Sequence, residues 1–283
     1  MAMSINTNAG AEFASIAAQR AAEMMDEAML RLSTGKRINS AKDDAAGMAV
    51  ATRLAKEIAG LGQALRNAND AKGLIDTGEA ALKEVSTLLL RMREIAVSAS
   101  SDTNTDADRA ALDTEVTALE TEIARIGDQT SWGGKNILNG THDKDNPIRF
   151  HLGPTATNFI DVTLGVVSIA ARGSDLQGSL SLTGSVSSRA NAVSYIAGID
   201  AAISIISARR GNFGAVSNRL TSAITNLETM KSSMVTAKGQ VEDANYAEET
   251  AKLARAQILM QAATAMLAQA NASKNATLKL VTG

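Results

Sequence analysis

The stretch AVSYIAGIDAAISIISARRGNFGAVSNRLTSAITNL, residues 192–227, decides the fold. Every seventh residue in it is apolar: Ala192, Ile199, Ile206, Phe213, Leu220 and Leu227, and the series runs on through Met234 and Val241. A sustained seven-residue repeat keeps one seam of a helix against another helix over a long distance. Two more series flank it. The earlier is Leu54, Leu61, Ala68, Ile75, Leu82, Leu89 and Ala96; the later is Tyr246, Leu253, Met260 and Leu267, followed by Lys274. At 1.5 Å per residue, about fifty residues make a rod of roughly 75 Å. The sequence therefore predicts a mainly α protein, a rod of long helices in coiled-coil or bundle packing.

Composition supports a rod over a globule. Aromatic residues make up 2% of the 283, namely Trp132, Tyr195, Tyr246 and four Phe, too few for a dense core. Pro147 and Pro154 are the two prolines, both in the middle, so long helices are permitted on either side. The net charge of −2 with mixed signs offers no basic stripe for nucleic acid. With no cysteine, disulfides and thiolate metal sites are excluded. No run of eighteen apolar residues predicts a membrane span. The N-terminus lacks a secretory signal peptide, so export from the cell is expected by another route.

Along the chain, residues 5–32 read as an alanine-rich helix with Ile5, Phe13 and Ile16 on one side, followed by a polar break at 33–40. A second helix is expected over 44–98, with Ile58, Leu65, Val85, Met92 and Ala99 as companions to its heptad series. Thr105-Asp106-Ala107-Asp108 has the form of a capping box. It opens a helix carrying Leu112, Val116, Leu119, Ile123 and Ile126 that stops at Gly127 and pairs with its predecessor as a hairpin. Ile148, Phe150, Leu152 and Ile160, Val162, Leu164, Val166 alternate around a Gly/Pro turn, which predicts a small β-hairpin. Residues 171–188 read as loop with a short strand at Leu180 and Leu182. Helices are then expected over 190–238, ending near Gly239, and over 243–280. In the last helix Ala256, Ala263 and Ala270 stand opposite the large residues. Such a seam buries little area, so the terminal helices are expected to be poorly ordered in a lone subunit and to order as subunits assemble. That makes the chain a self-assembling structural protein.

The segment Arg31-Leu32-Ser33-Thr34-Gly35-Lys36-Arg37-Ile38-Asn39-Ser40-Ala41-Lys42-Asp43-Asp44-Ala45-Ala46-Gly47 closely resembles the most recognisable segment of bacterial flagellins. Further flagellin-like segments follow in order: 5–8, 63–71, 90–97, 242–247 and 266–271. The resemblance covers roughly 1–140 and 190–283. It implies a subunit that polymerises into the bacterial flagellar filament, a secreted, extracellular structural protein of swimming motility. The implied layout is an N-terminal inner-tube helix and connector (1–43), outer-tube helices (44–140), a β-hairpin and short variable region (141–189), the C-terminal outer-tube helix (190–240) and the C-terminal inner-tube helix (241–283). Only about fifty residues separate Gly140 from Ala190, so large outer domains are expected to be absent. Export through the flagellar type III channel, an export chaperone and cap and junction proteins are partners the resemblance implies.

By the same resemblance, Ile5, Phe13, Ile16, Tyr246, Leu253, Met260 and Leu267 are expected in the terminal assembly seam. Leu54, Leu61, Ile75, Leu82, Leu89, Ile199, Ile206, Phe213, Leu220 and Leu227 are expected in the outer-tube core. An immune-receptor face of the family falls on Leu90, Arg91 and Glu94, with Leu90 standing where the family carries glutamine. Asn245 stands where the family often carries aspartate.

His142 and His151 near Asp143 and Asp145 lack the His-Glu-x-x-His pattern of a zinc protease and read as loop residues. Asp102, Asp106 and Asp108 lack the glycine and glutamate of a calcium loop and read as helix-capping charge. The methionines read as seam fillers. No nucleophile, base and oxyanion donor assemble, so no enzyme, metal or cofactor is expected. A hook–filament junction protein and a surface adhesin on the same scaffold are the alternatives. Segment 33–47 argues against the first and the lone Trp132 against the second.

Overall fold

The computed structural model describes residues 7–139, 147–153, 158–163 and 184–282, with side chains up to Lys274. Five helices carry the architecture: α1 (Ala9–Thr34), α2 (Ala45–Ala99), α3 (Asp106–Gln129), α4 (Arg189–Glu242) and α5 (Tyr246–Thr282). Four short strands lie between α3 and α4: β1 (Ser131–Trp132), β2 (Lys135–Asn136), β3 (Ile148–His151) and β4 (Phe159–Val162). Contacts divide the chain into a terminal unit, Met1–Ile58 with Ser233–Gly283, and a central unit, Ala59–Ser232. Both boundaries fall inside long helices, α2 and α4, and not in loops.

In the central unit the expected heptad rows are the core. Leu61, Ile75, Leu82 and Leu89 of α2 are buried, as are Ile199, Ile206, Phe213, Leu220 and Leu227 of α4. Leu54, expected in the same row, is half-buried and belongs to the terminal unit. The second inward row of α2 is Ala64, Ala71, Gly78, Val85, Met92 and Ala99. The expected early companions Ile58 and Leu65 lie one residue off that row and are half-buried. Small residues win these positions because they admit large neighbours: a Cβ on Gly78 would stand 2.7 Å from Phe213 Cε2. An 18-residue window of α4 reaches a mean hydropathy of 1.4, long and apolar enough by composition to cross a membrane, and 28% of it is buried. Ala192, Tyr195, Ile199, Ala202 and Ile206 of this helix turn into the core.

Helix α3 closes on the core through Val116 and Ile123. Its start is the capping box expected from sequence: Thr105 Oγ1 accepts from Asp108 N at 3.2 Å, and Asp108 Oδ2 accepts from Thr105 N at 2.9 Å. The Thr105 hydroxyl, then its amide, hold the Asp108 carboxyl below the usual range. Arg109 fills the α2–α3 turn, donating to the carbonyls of Ala99, Ser101 and Asn104 at 2.9, 3.0 and 2.7 Å.

Strands β3 and β4 pair antiparallel with Phe150 opposite Ile160, as the alternation predicts. Leu164, Val166, Leu180, Leu182, Pro154 and His142 lie outside the described residues. His151 is not a loop residue: it closes β3, and its ring meets Phe159 edge-on at 5.2 Å. The β1–β2 hairpin was not legible as strand. It turns on Gly133 and Gly134 at φ +57° and +79°, the left-handed pair a two-residue hairpin requires. Trp132 of this hairpin lies on Gly73 of α2, where a Cβ would sit 2.8 Å from its ring.

Helix ends shift modestly from the sequence reading. Gly239 does not end α4, which runs to Glu242, and α5 starts at Tyr246 after a three-residue turn. One glycine inside a helix costs only about 1 kcal/mol relative to alanine, too little by itself to end a long helix.

Candidate functional site

The terminal unit is built on α1 and α5, which pack antiparallel. At one end Asn8 Nδ2 donates to Ala270 O at 3.3 Å; at the other Arg31 meets Glu249 across the seam. Helix α1 starts where Asn8 Oδ1 accepts from Ala11 N at 3.2 Å. It stops at Gly35, whose φ of +70° lets its amide reach back to Arg31 O at 2.9 Å.

The seam inverts the usual rule of large residues inside. Ala14, Ala21 and Ala28 are the buried row of α1, with Ala256 and Ala263 buried opposite. Leu253, Met260 and Leu267 flank them, half-buried. Alanine lets the two helices approach closely, and the bulkier side chains are left on the outer faces. Phe13 is 74% exposed and Met266 63% exposed. Ile16, Leu259 and Tyr246 are exposed as well.

The sequence-based seam set therefore separates into two groups. Leu253, Met260 and Leu267 lie at the α1–α5 contact inside the subunit. Phe13 and Ile16 face outward, and Ile5 lies outside the described residues. Tyr246 is exposed yet anchored, its hydroxyl donating to Leu32 O at 2.9 Å. Phe13, Ile16, Leu259 and Met266 line a groove of about 870 Å³ running along both helices.

The connector 35–44 is ordered by its bonds to the α4–α5 turn. Lys36 pairs with Asp243 as an isolated β-bridge, Arg37 N donates to Glu242 O at 2.7 Å, and Ala244 N donates to Gly35 O at 2.9 Å. Lys36 Nζ reaches Glu242 at 2.5 Å; its hydrogen bond, then that of Lys238, hold this carboxyl below the usual range. Asp43 accepts from Asn39 N and Ser40 N at 3.0 and 2.8 Å, which lowers its pKa in turn. Ile38 is buried beneath this loop. The motif-rich segment 31–47 is thus the clasp that fixes the chain ends together, a role its polarity did not reveal.

In the central unit, Leu90 is exposed, and Arg91 lies beside it with Glu94 at 3.2 Å and Glu115 at 2.9 Å. The Glu115 and Glu94 contacts raise the Arg91 pKa. Among the described residues no group of three His, Asp or Glu side chains is placed to hold a metal ion.

Comparison with known proteins gives the family context. The family model "Bacterial flagellin N-terminal helical region" matches residues 5–143, and "Bacterial flagellin C-terminal helical region" matches 196–281. A flagellin of Halalkalibacterium halodurans is 38% identical over 90% of this chain and 91% of its own length. Flagellin C of Vibrio cholerae is 30% identical over 99% of this chain and all of its own. That alignment is 376 residues long against 283 here, so the relative carries inserted sequence. The crystal structure of Bacillus cereus flagellin aligns with a TM-score of 0.48 and 31% identity, over 57% of this chain and 88% of that one.

Proposed function

This chain belongs to the bacterial flagellin family and is a structural subunit that polymerises with copies of itself into the extracellular flagellar filament; on that premise we propose that α1 and α5 carry the contacts between copies. The observation that carries this reading is the groove. Phe13, Ile16, Leu259 and Met266 face water in the single subunit, while alanines fill the seam behind them. Apolar side chains gathered along one face mark an interaction site. Terminal helices of neighbouring copies are its occupants, forming the inner layer of the filament together with the connector at 1–43 and 241–283.

The heptad core of the central unit, from Leu61 to Leu89 and Ile199 to Leu227, then builds the outer layer over 44–140 and 190–240. The β-hairpins and the short segment 141–189 take the place of large outer domains. Leu90, Arg91 and Glu94 lie on the outward face, and the ion pairs of Arg91 with Glu94 and with Glu115 of α3 hold the arginine in place. Export through the flagellar secretion channel, with a chaperone holding the terminal helices and cap and junction proteins receiving the subunit, completes this reading. The role is structural and involves no catalysis, cofactor, nucleic acid or membrane.

Because the chain has no cysteine, single Met266→Cys or Phe13→Cys substitutions give clean probes. Maleimide labelling is expected to be fast in the soluble subunit and at least about tenfold slower in filaments, as burial of an exposed site demands. Equal labelling in both states would remove the groove from the contact between copies.

A further inference from the structure

The seam behind the groove poses a problem of register. On α1 the rows are Ala14, Ala21, Ala28 and Ala11, Ala18, Met25, Leu32; on α5 they are Ala256, Ala263, Ala270 and Leu253, Met260, Leu267. A slip of one heptad, about 10 Å along the axis, sets alanine against alanine and large residue against large residue again. Packing alone therefore discriminates weakly between the registers.

Glu249 breaks the repeat. It occupies the alanine row one heptad before Ala256 and is 4% exposed. Across the seam Arg31 Nη1 lies 3.5 Å from its Oε1, and Lys252 Nζ donates to the same oxygen at 2.8 Å. Three heptads separate Gly10 from Arg31 on α1 and Glu249 from Ala270 on α5. Gly10 stands against Ala270, so the two contacts at opposite ends belong to one register.

We propose that Glu249, paired with Arg31, selects the register of the terminal coiled coil. This rests on the terminal helices being the assembly surface, because register decides which side chains line the groove offered to the next copy. Slipping one heptad in one direction brings Glu249 level with Met24 and leaves a buried carboxylate without its guanidinium. Slipping in the other carries it past Thr34, where α1 ends. A polar group at one core position of an otherwise uniform seam fixes register by making the alternatives costly. The backbone bonds of the connector, Gly35 to Ala244 and Arg37 to Glu242, tie the same end without using either side chain.

A disulfide reports register directly. A Cβ on Gly10 would stand 3.6 Å from Ala270 Cβ, inside the 3.5–4.5 Å span of a disulfide. The pair Gly10→Cys/Ala270→Cys reads the native register and Gly10→Cys/Ala263→Cys reads a one-heptad slip. Both are oxidised in the soluble subunit and in filaments grown on seeds. With Glu249 present the native pair is expected to cross-link and the slip pair to stay reduced. With Glu249→Ala the ratio of native to slipped cross-link is expected to fall roughly tenfold, the loss of one buried polar discriminator. Arg31→Met, which leaves the carboxylate without its guanidinium in either register, is expected to lower the ratio as well. An unchanged ratio in Glu249→Ala would overturn the proposal and leave register to the connector. Loss of both cross-links would overturn it too, showing a residue that stabilises without selecting. Failure of the unsubstituted chain to elongate seeds would instead remove the assembly reading and leave the soluble-subunit ratio standing.

Discussion

Replacing Gly78 by alanine sets two opposing effects against each other. In a helix interior alanine is favoured over glycine by about 1 kcal/mol, so propensity alone makes the variant more stable. The structure adds a collision: the new methyl would lie 2.7 Å from Phe213 Cε2, with Cζ and Cδ2 at 3.5 and 3.6 Å. Carbon atoms rest at about 3.5–4.0 Å, so the ring must retreat by about 1 Å. Phe213 is buried in the same row as Ile206 and Leu220, which leaves it little room to move. Overpacking of this kind costs about 1–3 kcal/mol, and the net expectation is a loss of about 0–2 kcal/mol. Urea unfolding of the full chain followed by far-UV circular dichroism measures it. Phe213→Leu removes the colliding atom, and in that background Gly78→Ala is expected to regain its propensity advantage. A Gly78→Ala chain about 1 kcal/mol more stable than the parent with Phe213 intact would refute the close approach.

Gly73→Ala is expected to push the Trp132 ring off α2, since the new methyl would lie 2.8 Å from Cη2; the single tryptophan's emission should shift red, and unchanged emission contradicts the contact. The Thr105–Asp108 cap carries a lowered carboxyl pKa, so its contribution is full above the ordinary value of 3.8 and lost as pH falls through the folded-state value. Asp108→Asn should therefore flatten the acid limb of the stability–pH curve, read from thermal unfolding at several pH values. Tyr195 is buried and its hydroxyl donates to Glu120; burial first, then that carboxylate, push its pKa up. In an alkaline spectrophotometric titration one of the two tyrosines should ionise only as the chain unfolds, and Tyr195→Phe should abolish that late step. Met260→Glu places a charge at the α1–α5 contact and is expected to stop seeded elongation while leaving the Trp132 emission unchanged.

The long helices were legible because their inward rows carry Leu, Ile and Phe at a strict spacing of seven. The second row of α2 was legible only in its later half, Val85, Met92 and Ala99, because Ala64, Ala71 and Gly78 contribute little hydrophobicity and matter only as the space they leave. The same inversion governs the terminal seam. A reading by size sets Phe13 and Ile16 in the assembly seam but misses that close helix approach within the subunit buries Ala14, Ala21 and Ala28 and leaves those two facing outward. The β1–β2 hairpin escaped notice because two residues per strand carry no alternation, although Gly133-Gly134 was its signal. The connector's polar sequence identified the family, while its partners at 242–244 lie two hundred residues away and are set by tertiary structure alone.

The most direct test of the central claim is elongation. The purified chain, dissociated and returned to neutral pH with short filament seeds, is followed by electron microscopy. Smooth, thin helical filaments growing from the seeds, built of this chain alone, are the predicted result. A chain that stays monomeric, or that only caps seed ends, would contradict the account of a self-polymerising filament subunit.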